Sequence, residues 1–325
     1  MKTRSTNNAQ SKGQSSSKKR IKVDQSKIKT IKKQKKESTR TTSTPPPAKS
    51  SKKIKSQSSK KRIKIEPHSL PLPNDFLPIH NLVKELREDK NAPIDSDGPE
   101  ALAETHHGDK VYRFQILLAL MLSSQTKDES VGYSIRQLQS HGLTVQNIHH
   151  HTTTETLNAL IRKVGFHNNK TKYIKQTCAI LIDQYDGDIP STAEKLMKLP
   201  GVGPKMAYIV ETLAFGTCSG LGVDTHMHRI FNQLNWVQNT TNPEKTREQL
   251  EGFLPKEYWK EINYIYVGFG QQVQQQKEYM LKKALSSTQP LEALKLFKKV
   301  GLDWKKESKK YGLEEQLNAI MNLKK

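Results

Sequence analysis

The chain has 325 residues and a formal net charge of +22, set by 54 Lys plus Arg against 32 Asp plus Glu. Its two cysteines, Cys178 and Cys218, are too few for a disulfide framework or a four-thiolate cluster. No run approaches the roughly 18 apolar residues of a membrane span, and no apolar stretch follows the N-terminal positive charges. The expectation is a soluble, intracellular monomer with no membrane partner.

The charge is concentrated at one end. Residues 1–67 hold 22 Lys plus Arg against 3 Asp plus Glu and contain no Phe, Trp or Tyr, so a net of +19 sits on a segment with too little apolar surface to offset ordering entropy. Residues 1–70 are therefore expected to be a disordered basic tail. Within it, Ser-Ser-Lys-Lys-Arg-Ile-Lys-Val at 16–23 recurs as Ser-Ser-Lys-Lys-Arg-Ile-Lys-Ile at 58–65. These repeats read as nuclear-import addresses for an import receptor, and the same lysines would release counterions from a polyanion. The first acidic residue is Asp24, which leaves a mitochondrial leader open, although Lys outnumbers Arg. The remaining 258 residues carry only +3, so any site there must be argued from local residues.

In chain order, a loop at 69–75 leads into spaced apolar residues from Phe76 to Glu88 that suit one helix. Residues 111–122 are almost continuously apolar and too long for a strand, and 131–138, 155–163 and 171–184 have helical apolar spacing. Gly142, Gly165 and Asp186-Gly187 punctuate them. Strand-like alternation is essentially absent, and 225–325 adds helices interrupted at 239–243 and 286–290. The predicted class is all-α. His106, His107 and His149 to His151 lack a second group with metal-ligand spacing, so they read as loop residues and no metal site is expected.

The most informative stretch is 191–216. Ser191 and Glu194 have the spacing of a capping box that starts a short helix ending before Pro200. Gly201-Val202-Gly203 then reverses the chain, Pro204 suits the first position of a new helix, and Gly216 suits its stop. In this helix–hairpin–helix the backbone N–H groups of Gly201, Val202 and Gly203 can approach a phosphate, aided by the positive helix end. The hairpin carbonyls are also compatible with a monovalent cation.

Lys205 falls in the first turn of the second helix, where a cation adds unfavourably to the positive helix end. Two roles fit: a phosphate contact, or a nucleophile whose neutral amine is favoured by the helix end and by partial burial. Position alone leaves both open. Asp224, in Val223-Asp-Thr-His226, precedes the apolar Ile230, Phe231 and Leu234 and is a natural helix N-cap. A capped carboxylate accepts backbone N–H bonds and suits stabilising a sugar cation better than donating a proton. An amine and a fixed carboxylate at two helix starts, one helix apart, make a coherent pair.

Leu199-Pro-Gly-Val-Gly-Pro-Lys205 followed by Val223-Asp-Thr-His-Met-His-Arg229 resembles the helix–hairpin–helix plus Gly/Pro-Asp signature of the endonuclease III family. Leu122-Ser-Ser-Gln-Thr-Lys-Asp128, Val164-Gly-Phe-His-Asn-Asn-Lys170 and Val267-Gly-Phe-Gly-Gln-Gln272 are similar to its eukaryotic branch, and the resemblance covers roughly residues 75–275. It implies a six-helix barrel over 108–224, with a second helical lobe from 71–107 and 225–325. Damaged double-stranded DNA would lie between the lobes with the target nucleotide flipped out. Lys205 would attack C1′, expel an oxidised pyrimidine and form a Schiff base, with Asp224 assisting. Gln125 would fill the gap left by the flipped base and Phe166 would belong to a duplex-inserting loop. The residues alone allow an exposed Gln125 and a core Phe166.

The resemblance fails at one point. Many members carry four cysteines after the Gly-Gln-Gln segment to hold a [4Fe–4S] cluster, whereas here Val273-Gln-Gln-Gln-Lys277 follows and no cysteine lies beyond Cys218. The expectation is that the cluster is absent and that no cofactor is used. Leu291, Leu294, Leu296, Phe297, Leu302 and Trp304 would then pack the second lobe. An 8-oxoguanine glycosylase shares a hairpin lysine and aspartate but needs a β-rich region for which the 40 or so residues before the barrel leave no space. An adenine glycosylase would lack Lys205. A non-catalytic DNA-binding module explains the glycines but leaves the pairing of Lys205 with Asp224 a coincidence.

Overall fold

A computed structural model describes residues 69–322. The import-like repeats and nearly all of the basic tail lie outside the described residues. All regular structure among the described residues is helical. The fold is built on two hydrophobic cores, and the chain passes from one to the other and back.

α1 (Phe76–Leu86) begins in one core. Two short helices, α2 (Pro93–Asp97) and α3 (Pro99–Leu102), each opened by a proline, lead to the other. That core is formed by α4 (Asp109–Ser123), α5 (Asp128–His141), α6 (Thr154–Leu160), α7 (His167–Tyr185), α8 (Ala193–Leu196) and α9 (Pro204–Phe215). The nearly unbroken apolar run of α4 has a direct structural meaning: every residue from Phe114 to Leu122 is buried, because α5, α7 and α9 pack around the helix. Gly142 and Asp186 end α5 and α7 in the left-handed conformation.

The chain then returns to the first core through α10 (Thr225–Gln233), α11 (Pro243–Phe253), α12 (Trp259–Gln275), α13 (Lys277–Ser286), α14 (Pro290–Lys299), α15 (Trp304–Tyr311) and α16 (Glu314–Asn322). An aromatic cluster binds its ends. Phe76 and Phe231 lie 5.1 and 5.5 Å from Trp236, and Phe231 lies 4.8 Å from Tyr266. Leu294, Leu296, Phe297, Leu302 and Trp304 join this core, but Leu291, in the first turn of α14, stays only half-buried.

Side chains on α12 tie the parts together where the site forms. Gln271 accepts from the Ile94 N–H (3.0 Å) and donates to Asp128 (2.6 Å). Arg87 makes a two-pronged pair with Asp95 at 2.7 and 2.8 Å, and Tyr264 donates to the same carboxylate. Both members of the ion pair are almost wholly buried, so each depends on the other to offset its lost hydration.

Two local expectations need correction. The cap of α8 is Thr192, whose hydroxyl accepts from the Lys195 N–H, and Ser191 lies one residue too early. The histidines expected in loops occupy short helical turns at Thr105–His107 and Asn147–His151.

Candidate active site

The site is assembled around the start of α9. Gly201 has φ of +78°, and a β-carbon there would come within 2.6 Å of the Tyr173 ring, so both backbone and space require glycine. Val202 points into the barrel core and its N–H bonds to the Leu199 carbonyl at 3.2 Å, which leaves the flanking glycines to present their backbone. Gly203 has nothing within 4 Å of where a β-carbon would sit. Pro204 occupies the first helical position of α9, where its missing N–H has no helical partner to lose. Lys205 follows, with an exposed side chain. The partial burial expected for it is therefore not found.

A return segment brings Asp224 back to this point. After the left-handed stop at Gly216, residues 217–224 run back against α9. A β-carbon at Gly220 would lie 2.4 Å from the Tyr208 ring, and one at Gly222 would lie 2.3 Å from Ile209 Cγ1 and 3.0 Å from the Lys205 carbonyl oxygen. Only glycine permits so close an approach. Asn263 on α12 holds the segment from the other side by donating to the Gly222 carbonyl at 2.5 Å. Asp224 lies two residues further on, about 7 Å of extended chain. Its carboxylate accepts from the Met227 N–H at 2.8 Å as the N-cap of α10, as expected.

Lys205 and Asp224 both line a cleft of about 890 Å³ whose walls also include Gln125, Asp128, His226 and Gln271. Burial pushes the Asp128 carboxyl above its ordinary range, against a hydrogen bond from Gln271 and the fields of His226 and Lys205. Burial pushes the His226 imidazole below its ordinary value, with Arg229 adding to the effect and Asp224 and Asp128 opposing it. Ionisable groups displaced in opposite directions around one cleft mark it as a place where charge is managed. Asp128, His226 and Gln271 were not singled out from sequence. All three do lie within the motifs at 122–128, 223–229 and 267–272, so those motifs held the signal.

Gln125 lies just beyond the end of α4, exposed, with φ of +51°. Phe166 has φ of +56° and is 62% exposed, which rules out the core alternative. The two loops touch: the Gly165 N–H donates to Thr126 Oγ1 at 3.0 Å, and a β-carbon on Gly165 would lie 2.6 Å from the Gln125 carbonyl oxygen. Phe166 and the hairpin glycines are not among the residues that line the cleft.

The residues do not fit an iron–sulfur cluster, because Cys178 is buried in the barrel core and Cys218 packs against the other core. Glu104, His106 and His107 gather ligand atoms within 4.8 Å of one another outside the cleft lining, but the carboxylate already accepts from Gln115. The electrostatics of the cleft can be checked directly. Lys205→Gln removes a cation that holds the Asp128 carboxyl down, so carbon-detected NMR should show the Asp128 titration move upward from its parent position. A titration that stays put or moves down contradicts the shared field.

A profile of HhH-GPD superfamily base excision DNA repair proteins matches residues 118–256, a span that runs from inside α4 through the hairpin and Asp224. The endonuclease III-like protein 1 of Gallus gallus is 50% identical over 191 residues, which are 58% of this chain and 68% of that protein. The protein of the same name from Bos taurus is 50% identical over 201 residues, 62% of this chain and 66% of that one. The endonuclease III homolog of Schizosaccharomyces pombe is 45% identical over 204 residues, 62% and 57% of the respective chains. The chain thus spans between 64% and 68% of the length of the vertebrate relatives it matches. A solved structure of a trapped endonuclease III–DNA covalent intermediate aligns over 59% of this chain and 84% of that chain, with 28% identity and a TM-score of 0.49. With 50% identity over an alignment that covers 68% of the Gallus gallus protein, the chain belongs to the HhH-GPD superfamily of base excision DNA repair proteins, among its endonuclease III-like members.

Proposed function

We propose that the chain is a DNA glycosylase and abasic-site lyase that removes oxidised pyrimidines from duplex DNA, with Lys205 as nucleophile and Asp224 as its carboxylate partner. The observation that carries this reading is the convergence of an exposed amine and a helix-capping carboxylate on one cleft. The volume of the cleft falls within the range of roughly 300–1,000 Å³ usual for small-ligand sites, which suits an extruded nucleoside. The hairpin glycines beside Lys205 offer backbone N–H groups for phosphate, so the duplex is gripped without regard to sequence.

In this reading the Lys205 amine attacks C1′ of the extruded nucleotide. The C1′–N bond breaks, and its electron pair leaves on the base, which takes up a proton. Loss of a proton from the new ammonium and opening of the C1′–O4′ bond give a Schiff base. Removal of a C2′ proton then expels the 3′-phosphate, and water later frees the amine. Asp224, fixed by its cap, assists activation of the amine and stabilises positive charge developing on the sugar.

The iron–sulfur cluster carried by many members of the family plays no part in this proposal. The support is that the two thiols pack with different cores and that the segment after Gln272 is occupied by packed helices α13 to α16. Iron analysis of the purified chain should find none in stoichiometric amount, and a [4Fe–4S] complement would overturn this part. For the chemistry, borohydride reduction during reaction with a thymine-glycol duplex should trap a covalent adduct. Lys205→Gln should lose it, with excision falling by at least about 1,000-fold. Asp224→Asn should slow excision by about 100-fold. An active parent that forms no adduct, or a Lys205→Gln variant that still does, defeats the proposal.

A further inference from the structure

Lys170 is an expensive residue. It lies in the first turn of α7, at the positive end of that helix, and only 5% of it is exposed. Burial pushes its amine down to about 8. An ammonium so placed persists only if its three N–H donors are met, and here they are. Nζ donates to the carbonyls of Leu122 and Ser124, both at 2.7 Å, and to Thr126 Oγ1 at 3.0 Å. Leu122 is in the last turn of α4, so the ammonium faces the negative end of that helix, and Ser124 and Thr126 flank Gln125.

Thr126 extends the arrangement to the second loop. Its single oxygen accepts from both Lys170 and the Gly165 N–H, while its hydroxyl donates to the Ser124 carbonyl at 3.2 Å. The missing side chain of Gly165 lets the Gln125 carbonyl close against it. Gln125 and Phe166 therefore stand side by side on one cross-linked base. Both have positive φ, a conformation that non-glycine residues hold only where the surroundings over-determine it. Their side chains are left exposed.

We infer that Lys170, acting through Thr126, is a positioning residue that locks the Gln125 and Phe166 loops into a single wedge for entry into the DNA stack. This rests on the glycosylase reading above. The clamp touches neither Lys205 nor Asp224, so its loss falls on base extrusion and spares the amine chemistry.

The test uses the full chain and two variants, Lys170→Met and Thr126→Val, with folding followed by circular dichroism. Thr126→Val keeps the size of the side chain and leaves Lys170 its two carbonyls, so it decides the question if Lys170→Met does not fold. In both, single-turnover excision from a thymine-glycol duplex should slow by about 10- to 100-fold. Borohydride trapping on a single-stranded abasic oligonucleotide, which has no stack to enter, should stay near the parent level. Fluorescence of 2-aminopurine opposite the lesion, read in a Lys205→Gln background, should lose its rise on binding. Because that arm needs no amine chemistry, it reports on the clamp even if the lyase reading fails. A folded Thr126→Val variant with parental fluorescence and excision overturns the inference, as does an equal loss on the single-stranded substrate.

Discussion

The close packing of residues 217–224 against α9 is the constraint on which the site depends. A helix normally carries its two ends apart, and α9, at 12 residues, separates its own by about 18 Å. The return segment cancels that separation. Gly220 fits against Tyr208 and Gly222 against Ile209 and the Lys205 carbonyl, so the chain comes back along the helix it has just left. Asn263 fixes the register from α12, and the next helix starts where α9 started. An amine at one helix N-terminus and a carboxylate at the next can then share a cleft, although 18 residues separate them in sequence.

The same geometry sets the electrostatics. The positive ends of α5, α9 and α10 meet at the cleft, beside Lys205, and the carboxylates of Asp224 and Asp128 stand against them. Asp224 gains from its position because the cap satisfies a backbone N–H and places negative charge on a positive dipole end. Asp128 also opens a helix, but burial pushes its carboxyl up, and Gln271 holds it in place across the join between α5 and α12. The cleft thus contains carboxylates in two distinct environments.

Features governed by local chain chemistry were legible in the sequence. The proline at the start of α9, the left-handed glycine at its end, the positive φ at Gly201 and the Asp224 cap all follow from conformational preferences of single residues. The central helix was plain from its unbroken apolar run. What was missed depends on tertiary neighbours or on length. α2 and α3, at five and four residues, are too short for any period to register. Thr192 and Ser191 are equivalent caps on paper, and only the actual first turn separates them. Lys170 looks like an ordinary solvated lysine, because the carbonyls that receive it lie more than 40 residues away. The exposure of Lys205 was equally hidden, since the residues that would have buried it belong to other elements.

The central claim is that the amine at the start of α9 is the one that bonds to the sugar. It is tested most directly by locating the bond itself, through proteolysis and mass spectrometry of the borohydride-reduced adduct formed on abasic duplex DNA. The account predicts that the added deoxyribose mass lies on Lys205 and blocks tryptic cleavage after it. A modification carried by any other lysine, with Lys205 unmodified and cleaved as in the free protein, would contradict it.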